Sequence, residues 1–140
     1  MPSLPIQGLH VFPVIGLTLR FDRLDNFWFV LMHECAHVLL HLTDEDEYYD
    51  DLEVDDQGDL REKEADDLAG ETLVPSERWI HSGARATKSP EAVKRLATSL
   101  GVHEAIVAGR VRHEAGNYRL LNQLVGHNEV RRWFPDIDWK

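Results

Sequence analysis

The chain has 140 residues, 43% of them hydrophobic and 29% charged, with a formal net charge of −10. That length holds one domain with a real core, and that composition argues against a disordered chain. One cysteine, Cys35, rules out an intrachain disulfide, and the acidic balance argues against non-specific nucleic-acid binding, which needs Lys and Arg on phosphates.

The opening Met1-Pro2-Ser3-Leu4-Pro5 has no basic stretch followed by an apolar run, so no targeting segment is expected and a cytoplasmic location is. Val14-Ile15-Gly16-Leu17-Thr18-Leu19-Arg20 is apolar and partly β-branched after Pro13, which predicts a strand. Asp22 to Asn26 reads as a turn in which Asp25 or Asn26 caps the next helix. From Phe27 to Leu42 every residue is apolar except His33, Glu34, His37 and His41. A helix apolar nearly all round is a central, buried one. It is too short and too interrupted for a membrane span, and its polar residues need partners to be buried.

Residues 43–60 form an acidic loop. More than half of the 25 acids fall within 44–67, where the only bases are Arg61 and Lys63. The remainder of the chain is close to neutral. No window in the loop has the spaced ligands, the sixth-position Gly and the twelfth-position Glu of a calcium loop, so it reads as a solvated surface segment. A helix resumes near Leu60 and runs to Leu73, with Ala65, Leu68, Ala69, Thr72 and Leu73 on one side and Pro75 ending it. Residues 88–135 read as a C-terminal helical part. Ser89-Pro90 opens a helix to Leu100, Gly101 breaks it, a further helix covers His103 to Glu114, and short helices are predicted at 117–124 and 127–134. The helix–Gly–helix cadence at 89–114 resembles a DNA-reading pair but is read as core packing.

His33-Glu34-Cys35-Ala36-His37 is an H-E-x-x-H motif, which this composition would produce by chance about 0.04 times per chain. Residues four apart share a helix face, so two imidazoles can meet one cation, while Glu34 lies beside it where a carboxylate can take a proton from bound water. A catalytic zinc needs a third protein ligand. Leu40 and Thr43 occupy the positions where a metzincin has Gly and His, which leaves a carboxylate from the second helix. Glu62, Glu64, Asp66 and Asp67 are the candidates. Glu64, beside Ala65 and one turn before Leu68, is preferred, with Asp67 as an alternate. His41 continues the stripe as a partner of a ligand rather than a ligand, and Cys35 reads as a small core residue.

The pair His33-Glu34-x-x-His37 and Glu64-Ala65-Asp66-x-Leu68-Ala69-x-x-x-Leu73-Val74-Pro75 resembles the ImmA/IrrE family of metallopeptidase-like domains. Pro13 to Phe29 and Gly116-Asn117-Tyr118-Arg119-Leu120-Leu121 resemble the C-terminal domain of long HigA-type antitoxin regulators. The resemblance implies one domain over 1–140. It implies a compact α+β, gluzincin-type zincin-like fold, with a small β-sheet packed on the H-E-x-x-H helix and further helices around it. It also implies zinc on His33, His37 and Glu64. The expected function is a zinc metallopeptidase with Glu34 as catalytic base, cleaving or regulating a protein such as a repressor or toxin–antitoxin component. The alternative is a non-catalytic partner-binding or sensor domain of an antitoxin-type regulator. No direct nucleic-acid or membrane partner is expected, and His113 or Tyr118 are the candidates to stabilise an oxyanion.

Overall fold

The computed structural model describes residues 12–42 and 56–139, so the N-terminal residues and most of the acidic loop lie outside it. Helix α1 spans Leu24–Leu40, starting three residues before the predicted Phe27. No side chain caps it. The exposed N–H groups of its first turn are met instead by a distant part of the chain: Leu24 N–H donates to the Gly126 carbonyl at 3.2 Å and Asp25 N–H to the Val125 carbonyl at 3.3 Å.

Helix α2 spans Asp56–Leu73, starting four residues before the predicted Leu60. Two five-residue helices not anticipated from the sequence follow Pro75: α3 (Ser76–Ile80) and α4 (Gly83–Thr87). Helix α5 (Pro90–Leu100) is capped by the Ser89 hydroxyl, which accepts from Ala92 N–H, and stops at Gly101 in the left-handed region. Helix α6 (Glu104–Ala115) stops at Gly116 in the same way. The short helices predicted at 117–124 and 127–134 are only single 3₁₀ turns, Asn122–Leu124 and Arg131–Trp133. Positive φ at Leu121, Gly126 and Asn128 breaks the backbone too often for longer helices.

The expected small β-sheet is absent among the described residues, so the described fold is helical rather than α+β. An isolated antiparallel bridge, Arg23 with His127, is the β pairing there. Residues 14–20 form no strand because no second strand lies beside them to take their backbone groups. Val14 is 92% exposed, and the Leu19 and Arg20 carbonyls accept from the Arg131 guanidinium at 3.1 Å each.

The main core lies among α3 to α6, built on Val74, Trp79, Val93, Val107, Val111 and Val125. Each fully buried valine contributes about 1.5–2 kcal/mol of transfer free energy. A smaller cluster of Leu24, Ala105 and Val130 seats the start of α1. Helix α1 is less enclosed than its composition suggested. Only Leu24, Ala36 and His37 are buried, and Leu39 is 77% exposed, because among the described residues the helices packed extensively on it are α2 and α6. No helix among the described residues is long and apolar enough to cross a membrane.

Candidate metal centre

Helices α1 and α2 pack more extensively on one another than any other pair. Small buried residues on both, Ala36 on α1 and Ala65 and Ala69 on α2, allow the close approach. The chemistry of the site lies along this seam.

Four residues apart on α1, the rings of His33 and His37 turn their Nε2 atoms toward each other at 3.0 Å. The Glu62 carboxylate closes the third side. Its Oε2 lies 3.1 Å from His33 Nε2 and its Oε1 lies 3.0 Å from His37 Nε2. Two imidazole nitrogens and a carboxylate at these separations require positive charge between them, either a proton or a metal ion. Donors placed tetrahedrally at about 2.0–2.2 Å around zinc stand about 3.3–3.6 Å apart, so the cluster would fit a zinc-sized ion after spreading by a few tenths of an ångström. His33, His37 and Glu62 are all near enough to hold one ion.

The outward nitrogens of both rings are engaged as well. His33 Nδ1 lies 2.8 Å from Asp66 Oδ1. His37 Nδ1 lies 2.9 Å from His41 Nδ1, and His41 Nε2 lies 2.8 Å from Glu64 Oε2. Burial pushes the pKa of His37 down, and the neighbouring His33 and His41 add to this against the opposing pull of Glu62 and Glu34. A ring kept neutral offers its lone pair to a metal. The His37 side chain is 3% exposed and that of Glu62 47%, so the cluster is anchored at the α1 side and opens toward solvent at the α2 side.

The structure therefore brings together three of the residues singled out from the sequence, His33, His37 and the candidate Glu62. Glu64, the preferred third ligand, is placed on His41 instead, and Asp67 pairs with Lys63 at 2.6 Å. A signal for Glu62 was present in the sequence. Glu62 stands three residues before Ala65 and seven before Ala69, on the face that α2 buries. Glu34 is part-buried and near enough to His37 to favour the charged form of that ring. Cys35 is a free, part-buried thiol.

Beside the cluster runs a cleft of about 1020 Å³ between α1, α2 and α6. Asp66 and Phe29 line it, and both reach His33: Asp66 by hydrogen bond, Phe29 with ring centroids 6.3 Å apart. Its walls include Leu68 and Ile106, with His113 and Tyr118 also facing it. The His113 ring stacks on Phe29 at 6.5 Å.

The family profile described as IrrE N-terminal-like domain (Peptidase_M78) matches residues 4–112. Neither a curated protein nor a solved structure matches the chain.

Proposed function

Because the chain belongs to the IrrE N-terminal-like family of M78 peptidases, we propose that it is a zinc-dependent peptidase acting on a protein partner. The observation that carries this reading is the convergence of His33 Nε2, His37 Nε2 and both Glu62 oxygens at 3.0–3.1 Å. Two imidazoles and one carboxylate form a donor set suited to zinc with a position left open.

Zinc, when bound, supplies a Lewis acid that lowers the pKa of water and polarises a carbonyl. The remaining work falls to the chain. Glu34 accepts the proton of the attacking water and returns it to the departing amine, because it follows His33 directly on α1 and lies beside His37. The apolar wall of Phe29, Leu68 and Ile106 holds an extended peptide along the cleft, while His113 and Tyr118 are the groups facing its carbonyls. The natural substrate on this reading is a regulatory protein, such as a repressor or a toxin–antitoxin component.

The test is zinc titration of the chelator-stripped chain, followed by digestion of a proteome-derived peptide library read by mass spectrometry. Stoichiometric zinc and zinc-dependent cleavage are expected for the native sequence, and neither for His33→Ala or Glu62→Ala. A native chain that takes up no zinc would sink the reading.

A further inference from the structure

The Nε2 lone pairs of the two ring ligands are set by what happens at the opposite side of each ring. An imidazole offers Nε2 to a metal only as the neutral tautomer with its proton on Nδ1. For His33 that proton has an acceptor in Asp66 Oδ1, 2.8 Å away. For His37 the neighbour of Nδ1 is another imidazole, His41 Nδ1 at 2.9 Å. An imidazole nitrogen accepts that proton only if its own hydrogen sits on the other nitrogen. His41 must then carry its proton on Nε2, and Nε2 faces Glu64 Oε2 at 2.8 Å. With a metal on His37 Nε2, one proton arrangement satisfies every contact from carboxylate to ligand. His41 Nε2–H donates to Glu64, and His37 Nδ1–H donates to His41 Nδ1. His37 Nε2 is left bare toward His33 and Glu62.

We propose that Glu64 and His41 are positioning residues for the metal, acting through His37. The Glu64 carboxylate orients the His41 ring, and His41 in turn holds His37 in the one tautomer that can ligate. The site thus draws on three acids of α2. Glu62 faces the ion, Asp66 backs one ligand directly, and Glu64 backs the other through an intervening ring. Both rings of this chain are well placed for the task, since the His41 side chain is 6% exposed and that of His37 is 3% exposed. The His37–His41 contact is shielded from water, while the Glu64 carboxylate is 47% exposed and its hold on His41 is the more weakened by solvent. Groups that orient metal ligands in this way are worth about 10–100-fold in metal affinity.

This inference rests on the metal reading above, and one experiment separates their failures. Zinc affinity is measured by competition with a chromophoric chelator on the full chain carrying His41→Ala, Glu64→Ala, Glu64→Gln, or both alanine changes. His41→Ala and Glu64→Ala are each expected to weaken zinc about 10–100-fold. The double variant is expected to be no weaker than His41→Ala, because both changes break one line of contacts. Glu64→Gln keeps an oxygen able to accept from His41 and should recover most of the affinity. ¹⁵N spectra of the zinc-loaded chain should show His41 protonated on Nε2, with that preference lost in Glu64→Ala. Glu64 is 47% exposed, so its variants test the contact without emptying a core position. Native-like affinity and an unchanged His41 tautomer in Glu64→Ala would overturn the inference and leave the metal reading intact. Loss of zinc in Glu64→Ala with zinc kept in Glu62→Ala would also overturn it, by making Glu64 the ligand. No zinc on the native chain would remove both.

Discussion

Glu62 and Asp66 stand one turn apart on α2 and take opposite nitrogens of the same ring. Glu62 Oε2 lies 3.1 Å from His33 Nε2, and Asp66 Oδ1 lies 2.8 Å from His33 Nδ1. One acid therefore faces the candidate metal position while the other holds the ring beside it. Asp66→Ala should weaken zinc about 10–100-fold without removing the site, and Asp66→Asn, which keeps an acceptor oxygen, should do less harm. Calorimetric zinc titration of the two variants checks this, and equal loss in both would show that charge rather than ring orientation matters.

Glu34→Gln should bind zinc as the native chain does and lose peptide cleavage by about 100–10,000-fold, the usual worth of a positioned general base. Side-by-side zinc titration and peptide-library digestion give the two readings. Cleavage that survives the change would remove Glu34 from the mechanism.

The H-E-x-x-H helix was legible because its chemistry depends on a four-residue spacing that any helix preserves. The partner acid on α2 was legible only to within a turn. Glu62, Glu64, Asp66 and Asp67 are chemically alike, and choosing among them depended on which face α2 buries. The buried face is marked by Ala65 and Ala69, whose small side chains gave a weaker sequence signal than Leu68. The misread strand at 14–20 has a different origin. Its β-branched composition describes a segment able to enter a sheet, whereas a sheet also needs a second strand, and the carbonyls of Leu19 and Arg20 are taken by Arg131. Contacts between residues more than 100 positions apart leave no local trace in the sequence.

Gly126 adopts φ +72, and a Cβ placed there would lie 2.7 Å from Leu24 side-chain atoms, themselves buried. Gly126→Ala combines left-handed backbone strain with a clash against the first residue of α1. A loss of about 1–3 kcal/mol in urea unfolding is expected. A change of less than half a unit would mean that Leu24 can move aside freely.

Arg112 is 2% exposed, and its Nε and Nη1 have no hydrogen-bond partner among the described residues, while Nη2 donates to the Tyr118 carbonyl. Burial pushes its pKa down, and the nearby Asp25 carboxylate opposes that shift. Asp25→Ala would remove the carboxylate that opposes this shift, and with it the ion-pair partner of Arg23, at a cost of about 1–3 kcal/mol. Arg112→Met removes the buried charge itself and should cost less. Chemical denaturation of the two variants orders them, and the reverse order would show that Arg112 is held by something other than Asp25.

Hydrogen bonds from Arg85 and Trp79 Nε1 hold the Glu114 carboxyl below its usual pKa. A carboxylate with a lowered folded-state pKa adds stability above its unfolded value, about 4.3, and loses it as pH falls through the folded value. Native stability should therefore decline from pH 5 toward pH 3, with Glu114→Gln showing a shallower decline. Glu114 is part exposed, so the difference between the two pH profiles is modest, and urea midpoints across that range will reveal it. Parallel profiles would show that the contacts to Glu114 do not outlast solvent competition.

The entry to α1 is fastened from the far end of the chain. Asp22 Oδ1 accepts from Val130 N–H at 2.8 Å and Arg131 N–H at 3.1 Å, and the Gly126 carbonyl receives the first N–H of α1. During synthesis α1 is complete about 90 residues before its anchor, which needs Val130 and Arg131, has been added. Until then His33 and His37 sit on a helix whose start lacks these bonds, and making them closes a loop of more than 100 residues, which carries a high entropic cost. Full seating of the His33–His37 helix is in this way tied to the presence of residues 126–131, so that a variant lacking them would keep the candidate ligands without the frame that aims them.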